Sequence, residues 1–216
     1  MMKKIRKFAA LVLTLCVLVS LAAPALAASG VQSELQGSAA YMLSAVKAPE
    51  VGSIGGEWAV IGLARSGYPV PANYFDDYYA RVEKYVKDCA GVLHERKYTE
   101  YSRVILALTA IGRDPANVAG YNLLTPLGDF EKTIWQGLNG PIWALIALDS
   151  HNYPTSGDVT REKLIQAILD AQLPGGGWNL SGNDADPDMT AMAIQSLAPY
   201  YLSLIHISEP TRLGMI

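Results

Sequence analysis

The chain has 216 residues, half of them hydrophobic and only 17% charged, with 17 Lys and Arg against 20 Asp and Glu. That composition is ordinary for one globular domain and excludes a disordered tail. The formal charge of −3 is distorted by both ends of the chain.

Residues 1–27 read as a secretory leader. Lys3, Lys4, Arg6 and Lys7 precede an apolar run from Phe8 to Leu21, and Ala25-Leu26-Ala27 supplies the small residues a signal peptidase needs, so cleavage is expected before Ala28. The apolar run is short for a bilayer span, and no transmembrane segment is expected after the leader is removed. Cys16 would leave with the leader, and Cys89 alone excludes an internal disulfide framework and any multi-cysteine metal site.

The body, residues 28–201, repeats. Four segments carry an apolar helical stripe followed by a polar or Gly-containing stop: Glu57–Gly67, Ser102–Gly112, Pro141–His151 and Asp188–Tyr200. Aligning Leu63, Leu108, Leu148 and Leu197 places Val60, Ile105, Leu145 and Ile194 three residues earlier. Gly62, Ala107, Ala147 and Ser196 fall one residue earlier. The separations of 45, 40 and 49 residues leave room for two helices and their connections per unit. The small residues are expected to let neighbouring helices of this set approach closely.

Amphipathic stretches with a charged outer face lie between these segments, over Gln32–Lys47, Ala72–His94 and Thr160–Gln172, with a weaker one across Asp114–Thr133. They predict an outer helical layer around an inner one. Turn signals such as Gly67-Tyr68-Pro69 and Pro174-Gly175-Gly176-Gly177 fall where helices should end, and no β-alternation persists. The fold class expected is all-α.

At the far end, Leu202 to Arg212 read L-S-L-I-H-I-S-E-P-T-R, which resembles the translation of a sequencing-library adapter. Residues 202–216 are therefore expected to be foreign to the natural protein, and His206 enters no site argument. Without the four leader cations, Arg212 and Glu209, 12 basic and 19 acidic residues remain, a net charge of −7. That excess argues against nucleic acid or an anionic membrane as partner.

Gln172-Leu173-Pro174-Gly175-Gly176-Gly177-Trp178 fits the Q-x-x-x-G-x-W motif of the squalene-cyclase and prenyltransferase repeat superfamily. Asp186-Pro187-Asp188-Met189-Thr190-Ala191 resembles the D-x-D-D-T-A segment of its cyclases, with Met189 in place of the last Asp. Gly55-Gly56-Glu57-Trp58 opens an earlier unit in the same manner. The resemblance implies an α/α toroid of alternating inner and outer helices, here an incomplete arc. Read physically, the glycines permit tight backbone approach, Trp178 offers a large apolar face, and the Gln172 amide is placed to tie the preceding helix end to the loop.

Asp184, Asp186 and Asp188 admit three readings. They cap the following helix, or they contact a ligand, or, as the resemblance implies, Asp188 is the acid of a terpenoid cyclase. A calcium loop fails at Met189 and Gln195, where Gly and Glu would be needed. The Asp, Cys and His zinc set of a protein prenyltransferase is not met, since Cys89 sits on an outer stretch; no Cys-Gly-Glu-Gln thioester or Gly-rich phosphate loop is present, and scattered serines do not argue for a Ser-His-Asp triad. No metal or cofactor is expected.

Two functions follow. The first is a secreted or cell-surface, non-catalytic module that packs with other extracellular modules or binds an apolar or mixed small ligand, resembling the cobalamin-carrier branch of the superfamily. Its binding residues would be Trp58, Tyr101, Trp143 and Trp178 on the inner helices, with Asp186 and Asp188 at one rim. The alternative is a terpenoid cyclase or mutase with Asp188 as general acid.

Overall fold

A computed structural model describes residues 30–52 and 55–200; the leader and tail readings lie outside them. The described chain is helical. Helix α1 covers residues 30–45, followed by α2 (Glu57–Ser66), α3 (Tyr74–Asp88), α4 (Thr99–Ala110), α5 (Phe130–Ile134), α6 (Asn139–Asp149), α7 (Arg161–Asp170) and α8 (Pro187–Leu197). Among the described residues there is no strand, only an isolated bridge between Val118 and Tyr121. None of these helices is long and apolar enough to cross a membrane.

Local chemistry sets the helix ends. Gly67 closes α2 in the left-handed region at φ 67°, which a side chain would resist. Thr160 and Asp186 accept hydrogen bonds from the Lys163 and Met189 amides, satisfying free donors at the starts of α7 and α8, and Pro187 fills the first helical position of α8. Helix α3 buries Tyr74, Tyr78, Val82 and Val86 along one stripe and leaves its charges outside, as the amphipathic pattern predicts. Helix α6, with seven buried residues from Gly140 to Leu148, is covered on nearly every side.

The four repeated segments contain α2, α4, α6 and α8, and these pack in that order, each against the next. With Leu63, Leu108, Leu148 and Leu197 as position 0, the 100° step of a helix puts positions −6 and −3 on one flank and −1 on the other. On α2 the first flank faces α4, since Glu57 reaches Arg103. The second faces α1, where the Met42 Sδ and Cε atoms lie 3.2 Å from the point a Gly62 Cβ would occupy. Gly62 thus makes room for α1 rather than for another helix of the repeated set. Ala107, Ala147 and Ser196 are buried at the same register.

Two further expectations change. Asp114–Thr133 is not one helix: it holds the Val118–Tyr121 bridge, a 3-10 turn at Thr125–Gly128 and the start of the five-residue α5. Pro115, Gly120 and Pro126 break it, and Gly120 sits at φ 90°. The Gln172 amide does not tie its helix to the loop either. Gln172 is exposed, and the loop closes through backbone bonds from the Leu173 amide to Gly177 O and from the Gly176 amide to Leu173 O.

Candidate functional site

Positions −9, −5, −2 and +2 of the repeat lie within about 60° of one another on the helical wheel, opposite position 0. They supply Trp58, Ile61 and Arg65 from α2, Thr99, Arg103 and Leu106 from α4, and Asn139, Trp143 and Ile146 from α6. All nine border two clefts. A cleft of about 210 Å³ is lined by Trp58, Thr99, Arg103, Gln136, Asn139 and Trp143. A larger one of about 570 Å³ shares Trp58 and Trp143 and runs to the C-terminal ends of the same helices, at Arg65, Ala110 and Ser150, and to Pro199 after α8. Helix starts border one cleft and helix ends the other, so α2, α4 and α6 run in the same direction.

The two tryptophans meet. Their ring centroids are 5.1 Å apart at 59°, although α4 lies between their helices in the packing order. Side chains of α2 and α6 thus meet in front of α4, and the cleft they line makes the shared face concave there. Trp58 remains 42% exposed, an unusual state for the largest apolar side chain.

Arg103 is held rigidly at the polar end of this face. Its Nε donates to Glu57 Oε2 at 2.9 Å and its Nη2 to Glu100 Oε2. Glu57 is fully buried, and its other oxygen accepts from the Gly52 amide at 2.8 Å, so the buried carboxylate is paired and hydrogen-bonded. Gln136 Oε1 accepts from both the amide and the hydroxyl of Thr99, at 3.1 Å each. An amide N–H needs an acceptor, so this fixes the orientation of Gln136 and leaves its Nε2 free to donate. The Asn139 side chain, half-buried, makes no hydrogen bond among the described residues. Beside Glu57, the Tyr78 hydroxyl is buried without a partner; burial, with the Glu57 charge, pushes its pKa well up.

The sequence-predicted residues separate into three groups. Trp58 and Trp143 share the concave face. Tyr101 does not: it is 2% exposed on the other side of α4, where its hydroxyl accepts from the Leu93 amide at 3.1 Å, and burial raises its pKa. Trp178 is also in the core, its Nε1 donating to Ile168 O at 2.7 Å and its backbone amide to Thr190 Oγ1 at 3.0 Å. The neighbouring Gly177 sits at φ 76°, where a Cβ would fall 2.7 Å from that of Ala185. Trp178 therefore stitches α7 to α8.

The acidic segment lines a third hollow, about 540 Å³, which meets the first at Asn139. Asp186 caps α8, its carboxylate accepting from the Met189 amide at 2.7 Å. Asp188 is exposed in the first turn of α8, and Asp184 is exposed, its carbonyl accepting from Asn179 Nδ2. Among the described residues no three His, Cys, Asp or Glu side chains converge on a common point. The Cys89 thiol lies half-buried at the end of α3 and is pushed up in pKa by burial, the opposite of an activated nucleophile.

Arg103, Gln136 and Asn139 were not singled out from the sequence. Two of them carried a readable signal, since Arg103 occupies the position of Trp58 and Trp143, and Asn139 that of Asp188. Gln136 lies outside the repeated helices and had none. No family model, curated protein or solved structure matches this chain.

Proposed function

We propose that residues 28–201 form a partial α/α toroid, a secreted or cell-surface module whose concave face holds a small mixed polar and apolar ligand without transforming it. The observation that carries this reading is the meeting of Trp58 and Trp143 in front of α4, on a face that also presents Arg103, Gln136 and Asn139. Planar apolar area with a few oriented polar groups is the make-up of a small-molecule site. The toroid is supported by the serial packing of α2, α4, α6 and α8 in one register, by the concavity at the tryptophans, and by the repeat-motif resemblance. The leader pattern of residues 1–27 supports an extracytoplasmic location.

Alkene protonation by a carboxyl needs an acid kept neutral in a dry apolar enclosure, and a carbocation needs aromatic walls. Asp188 is instead exposed at the rim, and the only aromatic side chains on the described face are two tryptophans, set among polar and aliphatic ones. Incubating the full chain with squalene and shorter polyprenyl compounds should yield no cyclic product. Cyclic product that disappears in Asp188→Asn would replace this reading with the cyclase.

A further inference from the structure

We infer that the cleft between Trp58, Trp143 and Arg103 takes a neutral carbohydrate ring, an inference that rests on the concave face being a ligand site. The lining decides the ligand class by elimination. An anion finds no net positive charge, because Arg103, the one cation among the described residues lining this cleft, already binds both Glu57 and Glu100. A cation would be drawn to the indole faces, but no carboxylate lines this cleft to hold it, since Glu57 and Glu100 lie outside the lining and are already paired with Arg103. A purely apolar ligand would cover Arg103, the Gln136 amide and the Asn139 amide without offering them a hydrogen bond, and each group left unpaired in this way is costly.

A sugar ring meets each of these demands. Its C–H face stacks on an indole plane, and Trp58 and Trp143 offer two planes inclined at 59°. Its hydroxyls both donate and accept, so they match Gln136 Nε2 as donor, the unpaired guanidinium edge of Arg103 as donor, and both ends of the Asn139 amide. These side chains are planar and two of them are pre-oriented, Gln136 by Thr99 and Arg103 by two carboxylates, so little freedom is lost on binding. The same tryptophans border the 570 Å³ cleft, which extends along the face and has room for further rings of an oligosaccharide.

The test uses the full chain on an array of neutral glycans, with hits titrated in solution by intrinsic tryptophan fluorescence and farnesol as the non-sugar probe. We expect saturable binding to at least one neutral oligosaccharide, weakened tenfold or more by Trp143→Ala and by Asn139→Ala. Both variants are checked by circular dichroism, and Trp58→Ala, at a half-exposed position, is the substitute if Trp143→Ala does not fold. Farnesol binding that is lost in Trp143→Ala, with no glycan bound, overturns the carbohydrate assignment and leaves the ligand-binding face standing. Glycan binding untouched by these substitutions overturns the placement. No binding of either probe overturns both readings.

Discussion

Position −3 of the repeat is apolar in all four units, yet Val60, Ile105 and Leu145 are fully buried while Ile194 is 56% exposed. Position −6 behaves alike: Glu57, Ser102 and Ile142 are buried, and Ala191 is exposed. On α2 this flank meets the next helix of the series, through Glu57 and Arg103, and on α4 and α6 it is buried as well; on α8 the described residues leave it largely open. The same sequence pattern therefore gives a core in three places and a surface in the fourth. What a repeat position contributes depends on its neighbour, as expected of a stack in which each unit touches only the adjacent ones.

The comparison is broken most forcefully at the junction of α2 and α4. Arg103→Met leaves Glu57 fully buried with only the Gly52 amide and the neighbouring Tyr78 hydroxyl to face, and losing one member of a buried pair costs about 3–5 kcal/mol. Urea unfolding should show that loss; a loss under 1 kcal/mol would mean that water reaches Glu57. One junction further on, Leu145→Ala removes a fully buried side chain from the most enclosed helix, with an expected loss of about 2–5 kcal/mol by the same measurement.

Tyr78 tests the covered flank from outside, from α3. Its hydroxyl is buried beside the Glu57 carboxylate without a close hydrogen bond, so Tyr78→Phe should change stability by no more than about 1 kcal/mol, and a larger loss would show that the hydroxyl donates to Glu57. The pH dependence has a definite sign. Burial raises the folded-state pKa above the ordinary value of 10.0, so above pH 10 the unfolded chain releases a proton that the folded chain keeps. Stability is present below pH 10 and falls as pH rises beyond it, and Tyr78→Phe should lessen that fall in urea titrations at pH 8 and pH 11.

Much of this is legible in the sequence. The register of Leu63, Leu108, Leu148 and Leu197 identified the helices that pack in series, because a 3.6-residue period fixes which side chains share a face. Reading residue identity instead of register placed Tyr101 and Trp178 with Trp58 and Trp143. Tyr101 lies seven residues before Leu108, on the core side, and Trp178 lies in a loop. Arg103 passed unnoticed because a charge inside an apolar stripe looks like an interruption until its buried partner, Glu57, is seen 46 residues away. Gln136 was illegible, since its role depends on a loop meeting the start of α4.

A smaller effect separates capping from the other readings of the acidic segment. Asp186→Ala removes the acceptor of the Met189 amide and should cost about 1 kcal/mol, whereas Asp188→Ala, exposed and without a capping bond, should stay within about 0.5 kcal/mol. Equal losses in thermal unfolding would show that the charge at the helix start matters more than the bond.

The smallest effect is the sharpest for the comparison. Ile194→Ala deletes as much apolar side chain as Ile105→Ala, from the same register position, on helices of similar length. If burial by the next helix is what gives this position its energy, Ile105→Ala costs about 2–5 kcal/mol and Ile194→Ala stays within about 0.5 kcal/mol. Urea unfolding of both variants, repeated over a range of protein concentrations, separates two causes. A loss above about 1.5 kcal/mol for Ile194→Ala that grows with concentration would mean that another molecule covers this flank in solution. The same loss independent of concentration would mean that this chain covers it, and the contrast between α8 and its three predecessors would disappear.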